Sequence, residues 1–241
     1  MPAPEKPATS VWTRPRRPQR EQLTRDQIVT AAVELLDQEG TEALSMRKLG
    51  SRLNTAATSL YRHVANRDEL IQLVVDDVYG ELEPPATAER SQWRAAVTRI
   101  AADLRAMTLR HPWIAPELGQ VGLVHIGPNA MRMSSRLLAQ FEAAGFAADE
   151  MDQAMGTLMA YVIGTATSEA AYLSMIARSG KTEQEWVADL RPAFDEASQQ
   201  HPRLRAGASA QQDTHPQQIR DDAFSYGLAR VLDGLTARLN P

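Results

Sequence analysis

A chain of 241 residues, 43% hydrophobic and 23% charged, has the composition of an ordinary water-soluble globular protein. No run approaches 18 consecutive apolar residues and no apolar signal segment opens the sequence, so neither a membrane span nor secretion is predicted. The absence of cysteine excludes disulfides, thiolate metal sites and cysteine nucleophiles, and is typical of a cytoplasmic protein.

The net charge of −4 is unevenly distributed along the chain. Residues 1–70 carry 11 Lys and Arg against 9 Asp and Glu, whereas residues 71–241 carry 15 against 21. Only the N-terminal part therefore favours phosphate, and the acidic remainder repels it.

The first 22 residues are rich in proline and arginine without helical periodicity, which predicts a disordered basic arm at 1–22. Such an arm is either a solvated tail or a segment that follows the minor groove of DNA.

The first predicted helix has a complete set of start and stop signals. Thr24 is followed three residues later by Gln27, the spacing of a capping box. Apolar residues then recur at helical spacing over 28–36, which predicts one buried face. Gly40 follows the last periodic residue, where a left-handed conformation ends many helices.

Two shorter helices follow, separated by a tight turn. Ser45 is the expected N-cap of the second helix, and residues 54–55 form the turn. The third helix is predicted from about Ala56 to His63, with Leu60 facing inward and small or polar residues facing outward. Two short helices of this kind, packed on a preceding helix, make a helix-turn-helix, whose second helix can enter the major groove of DNA.

The remaining chain also has helical patterns. Asn66 and Glu69 open a fourth helix, expected over 67–83, which links the N-terminal residues 23–70 to the rest. Further helices are predicted at 91–110, from Pro112, from Pro128 to Gly145, from an Asp149 cap to Arg178, from Thr182 with an interruption at Pro192, and over 218–239. Residues 203–217 are predicted to be a flexible loop. With no alternating β-branched run, the fold class is all-α, with about nine to ten helices.

The stretch from Ile28 to Leu70 resembles the DNA-binding segment of the TetR family. The resemblance is gap-free, and its matching pieces are Ala31-Ala32, Leu35-Leu36, Gly40, Leu44-Ser45, Arg47-Lys48-Leu49, Leu53, the block from Ser59 to Val64, Asn66-Arg67 and Leu70. Asn54 stands where the family often has glycine, and Ala57 where some relatives have a longer side chain. The resemblance implies a homodimer that binds a palindromic operator, most commonly as a bacterial repressor.

The same resemblance assigns roles within the helix-turn-helix. The candidate DNA contacts are Arg47, Lys48, Ala57, Thr58, Ser59, Tyr61, Arg62, His63 and Arg67. Arg47 and Thr58 are the candidates for base readout, since arginine matches the edge of guanine and threonine can meet a thymine methyl. The candidates for phosphate contacts, which fix the position of the protein on the duplex, are Lys48, Tyr61, His63 and Arg67.

The C-terminal residues 71–241 are expected to form the effector-binding and dimerisation domain of the tetracycline-repressor-like branch. Small residues at spacing four on the long helix, together with leucines on the last helix, predict a four-helix dimer interface: Gly156, Ala160, Gly164, Ser168, Leu228, Leu232 and Leu235. The alternative for the small residues is packing within the chain. Polar and aromatic residues on apolar helices are candidates for the effector cavity, or for ordinary core and surface positions: Trp113, His125, Asn129, Tyr161, Thr165 and Glu169.

Other classes of protein are disfavoured by the motifs. There is no G-x-S-x-G, no H-E-x-x-H and no phosphate-binding glycine loop, and the histidines lack metal-ligand spacing. We therefore expect no catalysis, cofactor, metal or membrane partner. The alternative that stays open is a DNA-binding regulator without a small-molecule ligand, or an activator instead of a repressor.

Overall fold

The computed structural model describes residues 23–86, 89–121, 125–211 and 213–239. Over these residues the chain forms ten α-helices and no strand, which confirms the all-α prediction. In chain order the helices are α1 (Arg25–Glu39), α2 (Met46–Arg52), α3 (Ala57–Leu60), α4 (Arg67–Tyr79), α5 (Trp93–Arg110), α6 (Pro128–Ala144), α7 (Ala148–Ser179), α8 (Glu183–Ala197), α9 (Pro202–Ala210) and α10 (Pro216–Leu239). The predicted arm at 1–22 lies outside the described residues.

Helix α1 begins and ends where its sequence signals predict. The Thr24 hydroxyl accepts from the Gln27 amide at 3.2 Å, and the Gln27 side chain accepts from the Thr24 amide at 3.0 Å, so the capping box is complete. Gly40 ends the helix with φ of 77°, a conformation that other residues rarely adopt. The buried face of α1 packs against α2 and α4 and organises the N-terminal head, residues 23–70.

Helix α4 connects this head to the rest of the chain. Its N-cap is Asn66, whose side chain accepts from the Glu69 amide at 2.8 Å. The helix ends at Tyr79, four residues earlier than the sequence suggested, because residues 80–83 continue as a looser turn before Pro84 and Pro85. One face of α4 is buried along its whole length, against α1 in the head and α6 in the core.

The C-terminal core is built from α5, α6, α7 and α10. Trp93, Phe141 and Phe146 form an aromatic cluster with ring centroids 5.4 to 6.2 Å apart, where α5 meets the end of α6. Helix α7 is the central element, with 32 residues, and contacts α5, α6 and α10. It begins at Ala148 with Ala147 as N-cap, so Asp149, predicted as the cap, instead lies in the first turn. Among the described helices, none has an apolar stretch long enough to cross a bilayer.

Two sequence predictions for the 182–217 region are wrong. Helix α8 continues through Pro192 instead of being interrupted there, since an interior proline removes one intrahelical hydrogen bond but does not have to end a helix. Residues 203–210, part of the loop predicted at 203–217, are helical and belong to α9. Pro202 starts this helix at its first position, where a missing amide hydrogen is harmless, and alanines favour its continuation.

Candidate DNA-reading face and effector cavity

The turn between α2 and α3 is fixed by two backbone positions. Asn54 has φ of 51°, a left-handed conformation that asparagine tolerates better than most residues, which explains its replacement of the family's glycine. Gly50 lies directly behind the turn, where an added Cβ would be 2.9 Å from the Thr55 carbonyl oxygen and 3.2 Å from the Ala57 nitrogen. The Thr55 amide donates to the Gly50 carbonyl at 2.9 Å. Helices α2 and α3 are therefore in close contact and keep one relative orientation.

Helix α3 is anchored by one side chain and presents others to solvent. Leu60 is completely buried in the head. Thr58 on the helix is exposed, and so are Tyr61 and Arg62 in the turn at 61–63 that follows α3, where the sequence had predicted further helix; half of the Tyr61 surface is accessible. The other predicted contacts on this segment are partly buried: Ala57, Ser59 and His63. A short helix with a buried leucine and an exposed polar face has the shape and chemistry needed to enter a major groove.

The basic residues of the head fall into two groups. Lys48 is paired with Glu39 of α1, and the Arg67 guanidinium donates to the carbonyls of Leu44 and Thr41 at 3.3 Å each. These two side chains hold parts of the head together. Within the described part of the chain, the side chains of Arg47 and Arg62 form no ion pair and are exposed. They are the cations of the head that are available to DNA without breaking an existing contact.

A joint between α4 and α6 connects the head to the core. The Asp76 carboxylate accepts from the backbone amides of Asn129 and Ala130 at 2.9 and 3.0 Å, and thus caps the N-terminus of α6. The Asn129 side chain donates to the Asp76 carbonyl at 3.0 Å. At Gly127 an added Cβ would be 2.3 Å from the Asp76 carboxylate. Asn129, predicted to bind effector, is therefore part of this joint.

A cavity of about 580 Å³ lies between α7, α8 and α10. Three of the six predicted effector residues line it, and all three are on α7: Tyr161, Thr165 and Glu169. Sequence reasoning missed Tyr172, which lies farther along α7, and the residues that α8 and α10 contribute, among them Glu183, Arg220 and Phe224. Their only signal was polar and aromatic side chains on helices that also carry an apolar face.

The other predicted effector residues lie elsewhere. Trp113 is buried, and its indole donates to Asp37 of α1 at 2.7 Å. His125 is buried beside Glu117, with its Nε2 3.1 Å from the carboxylate. Trp113, His125 and Asn129, predicted together with the α7 residues, thus make contacts between segments and do not line this cavity.

One carboxylate organises the polar wall of the cavity. Glu169 receives two hydrogen bonds from Arg105 of α5, at 2.6 and 2.7 Å, and one from Arg220 of α10 at 2.8 Å. Burial raises the pKa of Glu169, but the hydrogen bonds from Arg105 and Arg220 outweigh it and hold the pKa below its usual value. Glu169 is therefore ionised at neutral pH, and it ties three helices together around the cavity.

The aromatic wall of the cavity is also fixed by hydrogen bonds. The Tyr161 hydroxyl donates to the Phe224 carbonyl at 2.8 Å, and the two rings lie 5.8 Å apart. Burial raises the pKa of both Tyr161 and Tyr172, and Glu183 raises that of Tyr172 further. Both phenols therefore stay neutral, and the Tyr161 oxygen, whose hydrogen is donated to the Phe224 carbonyl, can still accept a hydrogen bond.

The predicted dimer residues divide between the surface and the core. Gly156, Ala160, Gly164 and Ser168 form one exposed stripe along α7, and an added Cβ at Gly156 or Gly164 would meet no atom within 4 Å. Leu228 and Leu232 are only 2% and 1% exposed, because they pack against α7 of their own chain. We therefore correct the assignment of these two leucines to the interface. Leu235 is partly buried against the same core.

Family models match both parts of the chain. Residues 28–74 match "Bacterial regulatory proteins, tetR family", and residues 84–239 match "Tetracyclin repressor-like, C-terminal domain". Among curated proteins, the chain is 41% identical over 165 residues to an HTH-type transcriptional regulator of Saccharopolyspora erythraea, covering 68% of this chain and 69% of that protein. It is 35% identical over 230 residues to the HTH-type transcriptional repressor DrrR1 of Streptomyces coeruleorubidus, covering 93% and 83%.

A similar protein of known structure is the TetR family protein ActR of Streptomyces coelicolor in complex with actinorhodin. The likeness has a TM-score of 0.73 and 31% sequence identity, and it covers 90% of this chain and 97% of that chain. The similarity therefore extends over most of this chain and nearly all of that one.

Proposed function

Because the chain belongs to the TetR family of DNA-binding transcriptional regulators, we propose that it is a repressor that binds a palindromic operator as a homodimer and releases it when a small molecule binds. The observation that carries the proposal is the anchored, outward-facing α3 beside Arg47 and Arg62, two exposed arginines that form no ion pair with any residue that the structure describes. In this role the protein works in the bacterial cytoplasm, where its operator lies.

DNA reading is assigned to the exposed side chains of α2 and α3. Thr58 and Arg47 read bases, and a bidentate contact from Arg47 to guanine is worth about 1–3 kcal/mol of discrimination. Tyr61 and Arg62 bind DNA phosphates and thereby fix the position of the protein along the duplex. Ala57, Ser59 and His63 then lie close to the same DNA backbone. Lys48 and Arg67 contribute chiefly by holding the head in shape.

Dimerisation is assigned to the small-residue stripe of α7. Gly156, Ala160, Gly164 and Ser168 leave a flat track on which a second α7 can approach closely. A two-fold axis through this track presents two copies of α3, which suits half-sites one helical turn apart.

The effector site is assigned to the cavity between α7, α8 and α10. Its volume of about 580 Å³ is in the range of small-molecule sites. Tyr161, Tyr172 and Phe224 supply flat apolar surface, while the phenols and the charged groups around Glu169 supply hydrogen bonds. The similar protein ActR binds actinorhodin. We therefore propose a planar polycyclic ligand with several hydroxyl or carbonyl groups.

In-vitro selection of DNA from random duplexes by the full-length protein tests the central proposal. We expect a palindrome with half-sites about one helical turn apart, and release of the recovered duplex on titration with actinorhodin as a probe of the ligand class. Recovery of no common motif would refute operator binding. Binding that every planar polycyclic probe leaves unchanged, at concentrations that saturate the protein, would refute the effector role of the cavity.

A further inference from the structure

A buried histidine lies where the end of α1 meets the core. The side chain of His111 is 8% exposed and stands between two carboxylates. Its Nδ1 is 2.7 Å from Asp37 Oδ1, and its Nε2 is 3.0 Å from Glu81 Oε1. Asp37 belongs to the last turn of α1 in the DNA-binding head, whereas Glu81 follows α4 and His111 follows α5. One imidazole therefore joins the head, the connecting helix and the core.

Both contacts require hydrogen atoms on the ring. An ionised carboxylate only accepts hydrogen bonds, and a neutral imidazole carries a single N–H. Burial raises the pKa of Glu81, but hydrogen bonds from Arg110 and His111 hold that pKa below its usual value, so Glu81 is ionised. With carboxylate oxygens as acceptors on both sides, the two hydrogen bonds of His111 are satisfied at once only by the doubly protonated, positively charged ring.

The charges around His111 balance when the ring is protonated. The groups that face it are Asp37 on α1, Glu81 after α4 and, through Glu81, Arg110 of α5. Asp77 of α4 is also near Glu81, and burial together with the neighbouring carboxylates raises the pKa of Asp77. When His111 is protonated, the two positive charges of His111 and Arg110 balance the two negative charges of Asp37 and Glu81. When the ring is neutral, Arg110 is left as the one cation beside two carboxylates.

The carboxylates keep other donors when the ring loses its proton. Trp113 donates its indole N–H to Asp37 at 2.7 Å, and Arg110 donates to Glu81. Loss of one hydrogen bond to His111 therefore leaves neither carboxylate without a partner. The contact of His111 with Asp37 and Glu81 can therefore loosen at a pH at which the protein stays folded. A positioning role for His111 can thus be distinguished from a purely structural one.

We propose that His111 is a positioning residue for operator binding: as an imidazolium it fixes the DNA-binding head on the core, and its deprotonation loosens the head. The operator part of this statement rests on the proposed function. A fixed head favours a defined separation of the two α3 helices, because less conformational freedom is lost on binding. Operator affinity should consequently be lower when the His111 ring is neutral than when it carries both protons.

The protonation state is measured directly by NMR on the full-length, ¹⁵N-labelled wild-type protein between pH 5.5 and 8.5. We expect both ring nitrogens of His111 to be protonated at the low end, and the Trp113 indole resonance to shift as His111 loses its proton. The variants His111→Gln and Trp113→Phe serve to assign the signals. A singly protonated His111 ring throughout this range would overturn the proposal, whether or not either variant folds.

Operator affinity tests the consequence. His63, a second histidine close to α3, is removed from both proteins that are compared: His63→Gln and the double variant His63→Gln/His111→Gln, on the duplex recovered by selection. From pH 6 to pH 8 we expect the single variant to lose affinity roughly fivefold, the lower end of typical coupling, and the double variant to lose none. Superimposable or reversed profiles would overturn the proposal. Absence of DNA binding at every pH, with a protonated His111, would instead refute the proposed function.

Discussion

Substitution of Gly50 by alanine tests whether the close contact between α2 and α3 positions α3 for DNA binding. The new Cβ would lie 2.9 Å from the Thr55 carbonyl oxygen and 3.2 Å from the Ala57 nitrogen, and both are backbone atoms that cannot rotate away. Overpacking of this kind costs about 1–3 kcal/mol. Alanine also favours the helix by about 1 kcal/mol relative to glycine. The net expectation is a loss of about 0–2 kcal/mol in the free energy of unfolding, with a displaced α3.

The matched control is Gly207→Ala in α9. The chemical change is the same, but an added Cβ at Gly207 meets no atom within 4 Å, so only the helix-favouring contribution of about 1 kcal/mol remains. Urea unfolding of both variants gives the two free energies, and fluorescence anisotropy with operator DNA gives the affinities. We expect Gly50→Ala alone to weaken operator binding. The reasoning is refuted if the two variants are equally stable and bind operator equally well.

Three further changes probe the reading face, the cavity and the stripe on α7. Tyr61→Ala removes an exposed side chain, so the thermal midpoint should not change, while affinity for all DNA sequences falls. The slope of log affinity against log salt should stay the same, because a neutral phenol displaces no counterion from DNA. Glu169→Gln should lower stability by about 2 kcal/mol at neutral pH, since Arg105 and Arg220 lose their shared anion but keep Asp221 and Glu183. The pKa of Glu169 is lower in the folded than in the unfolded protein. Its contribution to the free energy of unfolding is therefore complete above the unfolded-state pKa and is lost as the pH falls through the folded-state pKa. Urea unfolding from pH 7 to pH 3 should show this loss in the wild type and not in the variant. Gly164→Leu should leave the monomer fold intact but shift sedimentation toward monomer, and an unchanged dimer would place the interface elsewhere.

The N-terminal head was predictable because its signals are local. A capping box and a helix-ending glycine act within four residues of the helix end that they define, and Thr24, Gln27 and Gly40 occur in the structure as the sequence predicts. The same holds for Asn66 at the start of α4. Leu60 was also identified, because a single apolar residue within a polar turn of helix has only one side that can be buried.

The cavity between α7, α8 and α10 was only partly predictable, because its polar wall depends on contacts between residues that are distant in the sequence. The alternative considered for Glu169 was a solvated surface position, since nothing within α7 distinguishes it from one. Its partners Arg105 and Arg220 lie 64 and 51 residues away and are brought to it by packing alone. Tyr161 and Thr165 were identified because they are polar side chains on a helix that is otherwise apolar.

The assignment of α10 shows another limit of periodicity. An apolar face identifies which residues are buried but not what covers them. Leu228 and Leu232 have the spacing expected for a dimer interface, yet their own α7 covers them. The small residues of α7 differ in this respect, because their exposure within one chain leaves the track open to a second copy.

The capping of α6 by Asp76 restricts where hybrid regulators can be spliced. The first turn of α6 obtains its hydrogen-bond acceptor from α4, so a core transplanted without its own connecting helix begins α6 with two unsatisfied amides. A chimera that borrows a foreign reading head should therefore cross over between Val64 and Leu70, upstream of the cap. The first turn of α4 can then come from either parent protein, while Asp76, Gly127 and Asn129 all come from the parent that supplies the core.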